Sequence, residues 1–252
     1  MNLRHQLDKE FSKGNGLVQE SCSCDIEKYR PVAEGYAEIE NTLCVLSDLK
    51  KNISIVCHSR FSRNLDIDLQ KCTGTIPSKW EDGIFRAIHP DDLEMKLLQE
   101  LLFFHYISSL PEEIRYSQCL MQRLRIKNKS GGWTDILHRL HYIPSTDSHS
   151  PRLAICLYGA MPELQFKGNS AVLDTSSGRM SALDSSTGSR IFTRQETNVI
   201  RLIDSGNSSR EISEILNISI HTVNRHRQNI IAKLNVRNSA EACKIARNLG
   251  LF

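Results

Sequence analysis

Ser208-Ser-Arg-Glu-Ile-Ser-Glu-Ile-Leu216, Asn217-Ile-Ser219 and Ile220-His-Thr-Val-Asn-Arg-His-Arg-Gln-Asn-Ile-Ile-Ala-Lys-Leu234 form the stretch on which the fold turns. Its first part predicts a short helix, Ser209–Leu216, with Ile212, Ile215 and Leu216 at the i, i+3, i+4 spacing of one buried face. Asn217-Ile218 reads as a tight turn, and the Ser219 hydroxyl can cap a longer helix running to Leu234. At about 100° per residue, Ile230 and Leu234 fall beside Val223 as an inner stripe. His221, Asn224, Arg225, Gln228 and Ala232 lie on the opposite side, with no carboxylate among them. A polar stripe on an amphipathic helix is usually just solvated. Here a short helix and a tight turn precede a basic helix, which is the layout of a helix-turn-helix reader of DNA.

The chemistry of the outer face suits that reading. Arginine pairs with guanine O6 and N7, and asparagine or glutamine with adenine N6 and N7. Asn224, Arg225 and Gln228 are therefore the expected base readers. Thr222, Asn229 and Lys233 flank them where phosphate contacts would fall, and His221 joins this backbone set.

Further helices bracket the pair. Thr193 and Glu196 have capping-box spacing, so a helix should start there, bury Val199, Leu202 and Ile203, and stop at Gly206. Asn238 or Ser239 caps a fourth helix with an inner face of Ala242, Ile245, Ala246 and Leu249. From Arg190 onward ten basic residues face five acidic ones, a net charge of +5. The rest of the chain carries −2 within an overall +3, so positive charge gathers where phosphate would be met.

Phe192–Phe252 resembles the LuxR/GerE-type helix-turn-helix family throughout. The residues that carry the likeness are Phe192-Thr193, Glu196, Val199-Ile200, Leu202-Ile203, Gly206, Ser208, Arg210-Glu211-Ile212 and Leu216. They continue with Ile218-Ser219, Thr222-Val223, His226, Ile230, Lys233-Leu234, Val236-Arg237-Asn238 and Glu241-Ala242. The resemblance implies a four-helix domain that docks its third helix in the major groove and dimerises partly through its fourth. It implies base reading by Asn224, Arg225 and Gln228, and backbone contacts that include Arg210, Thr222 and Lys233. On the fourth helix, Ile245 and Leu249 are the expected dimer contacts. Gln195 and Asn198 depart from the family, which often has Arg and Glu there. Arg227 points partly inward, its stem covering the core and its head reaching out.

Upstream the pattern mixes strand and helix. Thr42–Leu46, Ile53–His58, Gln118–Lys127, Trp133–Ile143 and Leu153–Tyr158 read as strands, and Asp91–Ser108 as a helix started by Pro90 and Asp91. Asn128-Lys-Ser-Gly-Gly132 makes a hairpin connection, and Pro31–Ile39 reads as helical. Two strands, helices and three antiparallel strands predict an α+β domain, similar to the PAS fold. Phe85-Arg-Ala-Ile-His-Pro-Asp-Asp-Leu93 and Leu124-Arg-Ile-Lys-Asn-Lys-Ser-Gly-Gly-Trp133 look like two PAS segments.

The expected organisation is a PAS-like sensor or dimerisation domain over 1–165 with a helical lead-in to residue 40. A Ser/Gly-rich linker over 166–190, with room for a hairpin at Ala171–Asp174 and Arg179–Leu183, then leads to the reader over 191–252. The fold class is therefore α+β, a five-stranded PAS-like sheet with helices, plus an all-α four-helix domain.

A PAS domain can hold a small ligand or simply pair with another copy. The flavin-photosensor motif is absent, with only His58-Ser-Arg-Phe61 as a fragment. A haem would need an axial histidine such as His105 or His89, and helix histidines far more often have other roles. No cofactor is expected, and a small-molecule ligand is left open. Neither a phosphoacceptor receiver nor an acyl-homoserine-lactone sensor pattern is present.

The eight cysteines contain no C-x-x-C pair, and Cys22/Cys24 have no partner pair at zinc spacing, so no metal site is expected. Isolated thiols usually serve as small buried apolar groups. Asp91, Asp92 and Glu94 suit the dipole of a helix start rather than acid–base catalysis. With no Gly-rich phosphate loop, nucleophile elbow or metalloprotease motif, the chain is expected not to be an enzyme. The polar start lacks a signal-peptide run, and Leu97–Ile107 is too short to span a bilayer. Expected partners are double-stranded DNA, a second copy and the transcription machinery, in the cytoplasm and without a membrane.

Overall fold

A computed structural model describes residues 3–12, 26–68, 74–108, 110–144, 151–163, 169–182, 192–234 and 236–248. Cys22, Cys24, Cys72, Leu249 and the stretches 164–168 and 183–191 lie outside the described residues. The chain divides into two compact units. One comprises Asp8–Glu100 and Ile107–Ala182; the other comprises Leu183–Phe252 with Met1–Leu7 and Leu101–Tyr106.

The first unit is built on an antiparallel sheet. In chain order the described elements up to residue 182 begin with α1 (Leu3–Ser12), α2 (Ile26–Ile39), β1 (Leu43–Asp48), β2 (Ile53–Cys57) and β3 (Gly74–Ile76). Then come α3 (Asp82–Phe85), α4 (Pro90–Ser108), α5 (Glu112–Arg115), β4 (Gln118–Lys127), β5 (Trp133–Pro144), β6 (Pro151–Ala160), β7 (Ser170–Asp174) and β8 (Met180–Ala182). The strand order is β3-β2-β1-β6-β5-β4-β7-β8. All five expected strands are present, but the sheet has eight.

The additional strands have local causes. β3 is three residues long, too short to show alternation. β7 and β8 form the hairpin for which the Ser/Gly-rich stretch left room at Ala171–Asp174 and Arg179–Leu183, and β7 adds it to the sheet by pairing with β4. Residues 170–182 are thus sheet rather than linker, because the serines serve a tight turn. The Asp174 carboxylate accepts hydrogen bonds from the Ser176 amide (2.9 Å) and the Ser176 and Ser177 hydroxyls (2.5 and 2.9 Å). Those bonds, the Ser176 hydroxyl foremost, pull its pKa down to about 2. Gly178 follows at φ +70°, a conformation that favours glycine.

Both faces of the sheet centre are covered, so β1 is buried along its whole length, apolar over Leu43–Leu46 and polar at Ser47 and Asp48. On one face α2 lays Ile26, Ala33 and Ala37 over Cys44, Leu46, Ile55, Leu153, Ile155 and Leu157. Each large apolar side chain buried this way contributes about 1.5–3 kcal/mol. The two PAS-like segments meet at the far end. Arg125 donates through Nε (2.9 Å) and Nη2 (2.7 Å) to the Asp92 carboxylate, which also accepts the Arg125 amide at 2.8 Å. The His89 amide donates to the Arg125 carbonyl, and its ring packs 4.7 Å from that of Trp133.

The described helices from Arg194 onward are α6 (Arg194–Asp204), α7 (Ser209–Leu216), α8 (Ile220–Leu234) and α9 (Ser239–Asn248). They bury Val199, Ile200, Ile212, Val223, Ile230, Leu234, Ala242 and Ala246 around Phe192.

Candidate DNA interface

The reader is assembled from strong local signals. Thr193 and Ser208 each complete a capping box, with Glu196 and Glu211 returning the bond to the cap amide. Helix α6 ends at Gly206 (φ +88°), whose amide donates to the Ile203 carbonyl while that of Asn207 donates to Leu202. This is a Schellman closure. The same closure recurs at Asn217 (φ 52°), where the Ile218 amide donates to Ser213, and it fixes the turn between α7 and α8. Ser219 Oγ then accepts the Thr222 amide at 3.0 Å and caps α8. Asn238 Oδ1 accepts the Glu241 amide at 2.9 Å and caps α9.

Helix α8 buries Val223, Ile230 and Leu234 and turns His221, Asn224, Arg225, Gln228, Asn229 and Ala232 outward, all exposed. No described group bonds the side chains of Asn224, Arg225 or Gln228, so all three are available to a partner. Thr222 is half-buried, with Oγ1 2.9 Å from Ser219 Oγ. Arg210 extends from α7 with 82% of its side chain exposed, 3.6 Å from Glu214. Arg227 is half-buried, as expected. Its guanidinium donates to Ser209 Oγ (3.1 Å) and Ser239 Oγ (3.3 Å), tying α8 to the starts of α7 and α9.

Three details differ from the sequence reading. Helix α6 buries Glu196, Val199 and Ile200, leaving Leu202 and Ile203 only half-buried, and Ile215 is 56% exposed. Ile245 is 9% exposed, turned into its own domain, so it has little surface to offer a second copy. Lys233 sits 2.7 Å from the buried Glu196 carboxylate, which also accepts the Thr193 amide at 2.7 Å. Its ammonium therefore holds α8 to α6 rather than standing free for phosphate. Burial pushes the Glu196 carboxyl up, but Lys233 and Thr193 outweigh it and hold the group below its ordinary value.

Lys233→Ala is therefore expected to lower the stability of the reader by about 1–2 kcal/mol, part of the charge being screened by water. Glu196 contributes fully above its unfolded pKa, near 4.5, and loses that contribution as pH falls through the depressed folded value. The deficit of the variant should therefore shrink in acid. Urea unfolding at pH 7 and pH 3.5 checks both points, and an unchanged midpoint at pH 7 would refute the strut.

The sheet unit holds a second cluster that sequence reasoning missed. Lys96 is 1% exposed, and its ammonium lies 2.5 Å from Glu100 and 4.6 Å from the centre of the Phe85 ring. Tyr158 donates to the buried Glu81 carboxylate. Burial alone would lower Lys96, but Glu100 and Glu81 hold it above its ordinary pKa. Burial raises Glu81, with Lys96 and Tyr158 pulling the other way. Gln122 Nε2 donates to Gln99 Oε1 at 2.7 Å, so its own Oε1 accepts from His138 Nδ1 at 2.6 Å. Burial first, then the charges of Lys96 and Arg139, depress His138 well below its usual pKa, leaving a neutral ring. Its buried Nε2 has no partner among the described residues. Beside Lys96 and Glu100 lies a cavity of about 40 Å³ walled by Phe11, Trp80, Phe85 and Tyr142. The i, i+4 spacing of Lys96 and Glu100 was a legible sign of the pair. His89 and His105, weighed for haem, lie at the start of α4 and on it. Among the described residues no group of three potential metal ligands occurs, and no helix is long and apolar enough to cross a membrane.

Comparison with known proteins places the reader. Residues 190–246 match the family described as bacterial regulatory proteins, luxR family. Over 60 residues the chain is 37% identical to the uncharacterized response regulatory protein YgeK of Escherichia coli K12, covering 24% of this chain and 41% of that one. Over 62 residues it is 42% identical to the transcriptional activator protein CarR of Pectobacterium carotovorum, covering 25% of each. The chain thus spans less than half the length of these relatives. Among solved structures, the Vibrio cholerae VqmA dimer without target DNA aligns over 83% of both chains at 11% identity and a TM-score of 0.30. Escherichia coli SdiA aligns over 99% of this chain and 97% of its own at 15% identity and a TM-score of 0.26. Likenesses at that level carry no argument about the sheet unit. The capped helices, the family match and the two relatives converge on one segment: residues 190–246 are a LuxR-family helix-turn-helix domain.

Proposed function

We propose that the chain is a sequence-specific transcription regulator that lays α8 in the major groove of double-stranded DNA. Asn224, Arg225 and Gln228 read base edges, while Arg210, His221, Thr222 and Asn229 meet the backbone. The observation that carries this reading is the outer face of α8, where three exposed base-reading side chains have no described partner and no carboxylate intervenes. Lys233 is left out of the phosphate set because Glu196 engages it. Selection from a random duplex library tests the reading. One recurring motif should emerge, bound about 10³-fold or more over unrelated DNA, with affinity falling steeply as salt rises. A library that enriches no motif would overturn it.

The regulator works as a homodimer in the cytoplasm, its reader governed by the PAS-like sheet unit. The order β2-β1-β6-β5-β4, with a strand pair and a three-strand meander around α3 and α4, supports the PAS likeness. A sensing role draws support from the cavity that lies beside the buried Lys96–Glu100–Glu81 cluster. The adjoining cavity has room for about one water, so a retained molecule would have to displace its walls. Pure pairing is the second reading, favoured by Val32 and Ile39, exposed seven residues apart on α2. Native mass spectrometry separates the two. A dimer with added mass supports sensing, a bare dimer supports pairing, and a monomer on and off DNA refutes both.

A further inference from the structure

β1 and β2 run antiparallel with Cys44 directly opposite Cys57. Both side chains face the α2 side of the sheet. There Cys44 belongs to the buried cluster and Cys57 packs against its margin. Opposed residues of an antiparallel pair have Cα atoms about 4.5–5.5 Å apart, inside the range of about 4.4–6.8 Å that a disulfide spans. Cys44 is fully buried, whereas half-buried Cys57 lines an open groove of about 750 Å³, with Arg30, Glu34 and His58 among its walls. One thiol of an aligned pair therefore meets solvent and the other lies behind it.

We propose that Cys44 and Cys57 are a modification site, closing reversibly into a disulfide with Cys57 as the attacking thiol and Cys44 as the resolving one. With a low-molecular-weight disulfide such as oxidised glutathione, Cys57 loses its proton and attacks one sulfur. A Cys57–glutathione bond forms and one glutathione thiolate leaves. Cys44 then loses its proton and attacks the Cys57 sulfur, expelling the second glutathione thiolate. Two protein thiols are oxidised by two electrons, and one glutathione disulfide is reduced to two glutathione thiols.

The register restricts the pairing. Cys156 lies opposite Val45, on the other face of the sheet from Cys44. Cys119 shares the Cys44 face but stands on β4, three strands from β1 and therefore roughly 14 Å away. Burial raises the Cys57 thiol, with Glu34 adding and Arg30 opposing, and burial raises Cys44 as well. Thiolate is scarce at neutral pH, so closure is slow and speeds up as pH rises. The bond would tie β1 to the end of β2 at the wall of the groove beside α2.

The test is to incubate the full, reduced chain with oxidised glutathione, alkylate the remaining thiols under denaturing conditions, and map the peptides by mass. The expected result is loss of two alkylatable thiols, a Cys44–Cys57 cross-linked peptide, and recovery of both thiols with dithiothreitol. In Cys44→Ser, Cys57 should stop at the glutathione adduct. In Cys57→Ser, Cys44 should stay reduced. Unchanged thiols in the wild-type chain, a persistent Cys57 adduct, or a cross-link from Cys57 to Cys22, Cys24 or Cys72 would each overturn the proposal.

Discussion

Lys96→Ala is expected to destabilise the sheet unit by about 3–5 kcal/mol, read as a lower urea midpoint at pH 7. The side chain is buried, 2.5 Å from Glu100 and over the Phe85 ring. Its removal deletes packing and leaves the Glu100 and Glu81 carboxyls in a low-dielectric interior without their cation. The second effect dominates, because an unpaired buried charge costs more than the pair contributes. Lys96→Met separates the two: it keeps most of the volume and should still lose most of the stability. Changing Glu81 and Glu100 to glutamine in that background removes the orphaned charges and should restore much of the loss. An alanine variant within about 0.5 kcal/mol of the parent would mean that water reaches the cluster and screens it.

The contrast between this cluster and the reader shows what a sequence makes legible. Helix starts at Thr193, Ser219 and Asn238 were readable because a cap acts on amides two or three residues on. Burial within a face was less so. Helical spacing indicated the correct side of α6 and α7, but Leu202, Ile203 and Ile215 sit at its edges, where packing across helices decides burial. Long-range partners left no local trace. Angular position and the family resemblance both placed Lys233 at the DNA margin, whereas Glu196, 37 residues earlier, holds its ammonium. In the sheet unit, Glu100 sits inside the apolar stretch Leu97–Ile107, where it answers Lys96 one turn before. Ser176 and Ser177 lie in the stretch left open for a hairpin, and their bonds to Asp174 close the turn that joins β7 to β8. The register of Cys44 on Cys57 depends on the pairing of β1 with β2 and cannot be read from either strand alone.

Arg225→Ala is the substitution expected to move DNA binding most. Its guanidinium is exposed on the outer face of α8, and no described carboxylate engages it, so removing it should leave the fold of the domain intact. A bidentate contact to guanine O6 and N7 contributes about 1–3 kcal/mol, so affinity for the selected site should fall roughly 5- to 150-fold. Discrimination should relax at one base pair and persist at the others. Arg225→Lys should recover charge but not the planar fork, restoring non-specific affinity more than base preference. Lys233→Ala supplies the opposing control. It should lower the unfolding midpoint while leaving base preference intact at temperatures where the domain stays folded, since Glu196 rather than DNA engages that side chain. The two variants therefore exchange signatures if the docking is wrong. An Arg225→Ala protein that keeps full base preference, beside a Lys233→Ala protein that loses affinity without losing stability, would move the DNA contact from the centre of α8 to its C-terminal end.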